Sequence, residues 1–203
     1  MAGIVPWLAP LAGRVPLPCG VGRSEPLEAA SWLSCVLGRN YTRPQVRNEL
    51  RELAAFMQRE FPGTRTRYLD ANLAFGDGFP LLPHLSHRDG LKVDLAFYYP
   101  ADRQPSPVGY WVSEQPRPGE PMPCRGRRSW LRWDFAWLQP LLAEEWDGAR
   151  TGAALRWLLE RPSVERVLLE PHLQQRLGLV HDKLRFQGCH AARHDDHFHL
   201  SMR

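Results

Sequence analysis

Two short stretches hold most of the side chains able to bind a metal or move a proton. Five of the chain's eight histidines fall in them: His84 and His87 in HLSHRDGLKVD, and His194, His197 and His199 in HDDHFH. Each stretch also carries carboxylates. Neutral imidazole and carboxylate oxygen bind zinc at about 2 Å, and a catalytic zinc site takes three such ligands and keeps one position open. His87 and Asp94 are separated by a turn containing Gly90. Without a Cβ there, the backbone can bend so that a loop histidine and a strand carboxylate converge on one ion. His197 and His199 are two apart, so on a strand they point the same way. One of the pair can be the third ligand while the other faces the reacting water, with Phe198 turned to the core between them.

These residues need elements to place them. Leu91, Val93, Leu95 and Phe97 alternate with Lys92, Asp94, Ala96 and Tyr98, which predicts a strand over about 91–99 with Asp94 on the face away from the apolar set. A second strand-like segment runs from Arg67 to Phe75, and HFHLSM near the end reads as another strand. Val46, Leu50, Leu53 and Met57 recur at helical spacing after a start at Thr42 with Pro44 in the first turn, and Pro62-Gly63 ends the run. Thr151 is expected to cap a helix carrying Leu155, Leu158 and Leu159. Val164 to Leu169 reads as a buried strand, His172 to Leu177 as a short helix, and a further helix is expected from about Asp134. Helices mixed with short antiparallel strands argue an α+β class, a small antiparallel sheet with flanking helices.

Residues 1–41 are rich in Pro and Gly without a sustained period, and read as a loosely attached leader or a degenerate export signal. The apolar start is broken by Pro6 and Pro10, so no stable membrane span is expected. The domain is placed at 42–203. Within it, the Pro- and Arg-rich stretch at about 100–128 has no period and reads as a surface insert, with Arg125, Arg127 and Arg128 solvated. Trp130, Trp133, Trp137 and Trp146 follow. Aromatic residues at helical spacing usually build core, and stacking on sugar rings is the alternative.

At 203 residues, 43% hydrophobic and 24% charged, the chain can bury a real core without a metal or disulfides to staple it. The net charge of +4 comes from dispersed arginines, with no clustered patch or recognised module of a nucleic-acid binder. Cys19, Cys35, Cys124 and Cys189 lack metal-ligand spacing. They fit either two disulfides, in any of three pairings, or four reduced thiols.

HxxGLxVD followed late in the chain by HxH resembles the LAS group of zinc peptidases, which includes D-Ala-D-Ala carboxypeptidases and hedgehog-like domains. Within it, His84-Leu85-Ser86-His87 and the run HDDHFH are similar to the penicillin-insensitive murein endopeptidases, as are Gly76-Asp77 and the approach from Pro80 to Pro83. The resemblance runs with gaps over about 42–203.

What the resemblance implies is a LAS fold and a Zn2+ ion held by His87, Asp94 and His199. His197 becomes the general base, taking a proton from a zinc-activated water, and His84 and His194 become helpers, a protonated His194 among the groups facing the oxyanion. Asp196 and Asp195 could orient imidazoles, although Asp195 reads better as solvated or as a cap. The substrate would be peptidoglycan stem peptides, cut at the cross-link between D-alanine and a diamino acid, in a periplasmic or extracellular setting. Trimming of terminal D-alanine and a non-catalytic zinc-containing cell-wall-binding module are the alternatives. The oligomeric state is left open.

Overall fold

The computed structural model describes residues 5–20, 25–79, 81–82, 84–100, 110, 114–126, 132 and 145–203. In chain order these form α1 (Val5–Leu8), a 3-10 turn (Ala9–Ala12), β1 (Val15–Pro16), β2 (Leu27–Ala29), α2 (Trp32–Val36), β3 (Tyr41–Thr42) and α3 (Pro44–Glu60). There follow β4 (Thr66–Tyr68), β5 (Lys92–Ala96), α4 (Gly148–Leu159), β6 (Val164–Leu168), α5 (Pro171–Arg176), β7 (Leu184–Arg185) and β8 (His197–Met202).

A six-stranded sheet in the order β2-β4-β5-β8-β6-β7 organises the fold. Its four central strands are antiparallel to one another, and the short edge strands β2 and β7 run parallel to β4 and β6. The class is mixed, as expected, with antiparallel pairing at the centre of this sheet and in a separate two-stranded sheet of β1 and β3. The helix over 44–60 forms as its periodicity requires: Pro44 occupies the first turn, and Val46, Leu50, Leu53 and Met57 are wholly buried. Thr42 does not start it. Thr42 lies in β3 and its hydroxyl donates to Gly90 O (2.8 Å), leaving Arg43 at the cap position.

The alternation in β5 and β8 divides the sheet into two unlike faces. Val93, Leu95 and Phe97 join Phe198, Leu200 and Met202 in one apolar cluster with α3 and α4. Asp94 and Ala96, with His197 and His199, take the opposite face, because successive side chains on a strand point to opposite sides. That face is covered too: Asp94, His197 and His199 are all buried.

The stretch expected as a loosely attached leader is packed into the structure over its described residues. Leu17, Leu27 and Ala29 are core, and β2 pairs with β4 in the main sheet. Arg14 is 1% exposed. Its guanidinium reaches Phe75 O (3.1 Å), Asp77 Oδ1 (2.9 Å) and Asp89 O.

Three smaller expectations are also revised. Asp147, not Thr151, caps α4, its side chain accepting from Arg150 N (2.9 Å), while Thr151 is buried and accepts from Tyr98 N (3.1 Å). The strand-like stretch 67–75 is a strand only through Tyr68, after which Asn72 makes an isolated bridge to Tyr41. Trp146 packs at 5.0 Å from Phe97 and so belongs with the core. The helix expected from Asp134, with Trp130, Trp133 and Trp137, and Arg127 and Arg128, lie outside the described residues.

The four cysteines form two disulfides, Cys19–Cys35 and Cys124–Cys189. Disulfides persist in oxidising compartments, so the pair fits an extracellular or periplasmic location. Among the described residues, no helix is long and apolar enough to cross a membrane.

Candidate metal centre

Each arm of the site follows from its local backbone. Asp94 and His199 are paired partners in the β5–β8 ladder, and His197 pairs with Ala96 two positions along. His87 arrives from the loop before β5, and the turn at Gly90 delivers it. Gly90 has φ +76°, and a Cβ there would lie 1.6 Å from Arg14 Nη1. Both the left-handed backbone and the close passage of Arg14 require glycine.

The three expected ligands converge. Asp94 Oδ1 lies 2.7 Å from His199 Nδ1 and 3.4 Å from His87 Nε2, and the two nitrogens are 3.2 Å apart. The ring atoms facing away are held as well. His87 Nδ1–H donates to Ala71 O, and Ser201 Oγ lies 3.3 Å from His199 Nε2, to which its hydroxyl can donate while His199 Nδ1–H faces Asp94 Oδ1. The bond to Ala71 O fixes the His87 tautomer whose inner Nε2 is bare for a cation, and Ser201 Oγ can accept from His199 Nε2 once a cation displaces the Nδ1 proton.

His84 is placed on the other side of the carboxylate. Its Nδ1 lies 3.1 Å from Asp94 Oδ2 and its Nε2 is 3.7 Å from Asp70 Oδ2. His84, His87 and Asp94 also form a group whose donor atoms are close enough to hold a metal ion. Two donor sets therefore share His87 and Asp94. They differ in whether His199, on Oδ1, or His84, on Oδ2, completes them. His199 Nδ1 is 2.7 Å from its Asp94 oxygen and 3.2 Å from His87 Nε2, whereas His84 Nδ1 is 3.1 Å from the other oxygen of the same carboxylate.

His197 stands beside this group with Nε2 3.9 Å from Asp94 Oδ1, and its Nδ1–H donates to Asp196 Oδ1. The expected orienting role of Asp196 therefore has its contact. Asp195 does not share it, and it is neither solvated nor a cap. It is buried and paired with Arg193 (Nε to Oδ2, 2.5 Å), and its carbonyl accepts from Glu114 N. The His194 ring is 5.1 Å from that of His197 and 5.8 Å from that of His199.

The electrostatics separate these imidazoles. Burial opposes ionisation of Asp94, but His87, His84 and the hydrogen bond with His199 together hold it well below the usual carboxylate range. Burial lowers His199 to about 4, against the pull of Asp94, so it is neutral. His87 is pushed up: burial disfavours its cation and Asp94 overrides this. Burial likewise opposes the His197 cation, yet Asp196 and Asp94 lift it to about 9. Burial, then the nearby His197 and His199, push His194 well below its ordinary value. His194 is thus a neutral hydrogen-bonding group, not the protonated one expected from the sequence.

Two members of the site stood outside both motifs. Tyr110 donates its hydroxyl to Asp94 Oδ2 (2.8 Å), with Asp70 Oδ2 at 3.2 Å, and its ring stacks on His84 and meets His197 edge-on. Asp70 is held by Arg39 through both its oxygens, at 2.8 and 2.9 Å. Its backbone also accepts from Asp94 N.

Compared with known proteins, the chain matches no family model and no curated protein.

Proposed function

We propose that the chain is a zinc-dependent hydrolase of peptide bonds with a LAS-type fold, acting on peptidoglycan cross-links. The convergence of His87 Nε2, Asp94 Oδ1 and His199 Nδ1 within 2.7–3.4 Å of one another carries the reading. Ligand atoms at about 2.0–2.1 Å from a tetrahedral ion lie about 3.3 Å apart, so two of the three spacings match and the third is somewhat short. Two imidazoles and a carboxylate also form a donor set typical of a catalytic zinc site with an open position. The outer hydrogen bond from His87 Nδ1–H to Ala71 O supports the same set. The substrate class rests on the resemblance of the two motifs to murein endopeptidases.

His87, Asp94 and His199 would hold the ion. Bound there, zinc would supply a Lewis acid that polarises a carbonyl oxygen and acidifies water, and its charge would offset the carboxylate field that lifts His197. Asp196 keeps the proton of His197 on Nδ1 and aims Nε2 at the centre, where it can accept a proton and return it to the leaving amine. Neutral His194 can donate one hydrogen bond to an oxygen that gains charge. His84, on the far oxygen of Asp94, positions that ligand.

The test is mass spectrometry of muropeptides after the purified protein has acted on cross-linked peptidoglycan, with and without chelator. Conversion of dimers to intact monomers, stopped by chelator and restored by zinc, is expected. Loss of only a terminal alanine would reassign the chain to D,D-carboxypeptidase chemistry. Unchanged muropeptides with zinc bound would overturn peptidoglycan hydrolysis and leave the binding module.

A further inference from the structure

We infer that Tyr110 is a positioning residue that keeps Asp94 a one-oxygen ligand. The inference rests on the reading of His87, Asp94 and His199 as the metal ligands. The two oxygens of Asp94 have separate partners. Oδ1 faces His87 Nε2 and His199 Nδ1, whereas Oδ2 accepts from the Tyr110 hydroxyl at 2.8 Å and has His84 Nδ1 at 3.1 Å. A carboxylate free to rotate about its Cβ–Cγ bond could offer both oxygens to one cation and fill the open position. Two donors on Oδ2 oppose that rotation.

Tyr110 is itself held in place. Its ring lies between His84, stacked at 5.5 Å, and His197, edge-on at 5.0 Å. Behind the hydroxyl stands Asp70 Oδ2 at 3.2 Å, on a carboxylate clamped through both oxygens by Arg39. Arg39, itself part-buried, Asp70 and Tyr110 therefore stand in line behind the ligand, the one hydroxyl proton going to Asp94. Tyr110 is 16 residues beyond Asp94 and belongs to neither histidine motif. Hydrogen bonds of this outer kind are worth about 10–100-fold in metal affinity or activity.

Tyr110→Phe retains the ring contacts and deletes only the hydroxyl. Zinc affinity of the full chain would be measured by chelator competition, and the cobalt-substituted protein examined by visible absorption. The expected result is zinc binding weakened about tenfold or more, with cobalt d–d bands losing intensity as Asp94 swings to two-oxygen ligation and the coordination number rises. Melting of the chelator-treated variant as cooperatively as the parent shows that the fold is intact. Zinc affinity and cobalt spectra identical to the parent would overturn the inference while leaving the metal reading standing. Failure of the parent chain to bind zinc or cobalt would overturn both.

Discussion

Asp94 and His199 stand directly opposite each other in the β5–β8 ladder, and Asp94 Oδ1 lies 2.7 Å from His199 Nδ1. A cross-strand pair of this kind is fixed by register. A slip of β8 by one residue would turn His199 to the helix-covered face and put an apolar neighbour such as Phe198 opposite Asp94. The ligands are thus set by the same alternation that builds the core.

The first prediction addresses that pair. Asp94→Asn keeps the shape and removes the charge, and His199→Ala removes one nitrogen. Structural zinc sites gain about 10–16 kcal/mol over four ligands, so one ligand is worth on the order of a hundredfold or more. Each substitution should weaken zinc binding by at least that factor in chelator competition. His84→Ala should cost less, because His84 sits on the outer oxygen. If His84→Ala proved as severe as His199→Ala, the donor set on Oδ2 would be favoured instead.

His197 has a different expected signature. Its Nε2 is 3.9 Å from Asp94 Oδ1 and its Nδ1 is engaged by Asp196, so it borders the centre without completing it. His197→Ala should leave zinc affinity within a few-fold of the parent, read by titration calorimetry. Turnover of cross-linked muropeptides should fall about 10²–10⁴-fold, the usual contribution of a general acid–base group. Loss of zinc with unchanged turnover per bound ion would reverse the assignment and make His197 a ligand.

Where the chemistry was periodic or clustered, it could be read from the sequence. The alternation from Leu91 to Phe97 and the spacing of His197 and His199 put Asp94 and both histidines on one face before any fold was known, and the structure keeps that arrangement. Asp70 was not legible because its role comes from tertiary placement: it is a lone carboxylate just past β4, and only the neighbouring strand and Arg39 turn it towards the site. Its one sequence signal was its position inside the strand-like run 67–75. Tyr110 was hidden for the opposite reason, since it sits among Pro- and Gly-rich residues with no period. The packed N-terminal segment was missed because β2 is only three residues long, too short to show alternation, and because a buried Arg14 runs against the expectation that arginine is exposed.

Gly90 links that N-terminal segment to the site, and it makes the third prediction. Gly90→Ala must adopt φ near +76° and push Arg14 away from Asp89 O and Asp77. A non-glycine residue in the left-handed region costs about 1–3 kcal/mol, and displacement of a buried guanidinium adds to it. Urea unfolding of the chelator-treated protein should show at least that loss. Because the same turn carries His87 towards Asp94, zinc affinity should fall as well. A variant as stable as the parent would mean that Arg14 leaves its buried position without cost.

Asp195 supplies the fourth prediction, in pH. Burial raises its carboxyl to about 7, against the pull of Arg193, whereas an unfolded chain holds an aspartate near about 3.9. Between those values the native state keeps a proton that the unfolded chain releases. The contribution to stability is fully present below about pH 4 and is lost as pH rises through about 7. Asp195→Asn imitates the protonated form at every pH. With chelator present to remove metal-linked protons, its unfolding free energy relative to the parent should therefore rise steadily from about pH 4 to about pH 7 and then level off. Parallel stability curves for parent and variant across that window would show that the buried Arg193 pair keeps Asp195 ionised throughout, and that its burial carries no proton-linked cost.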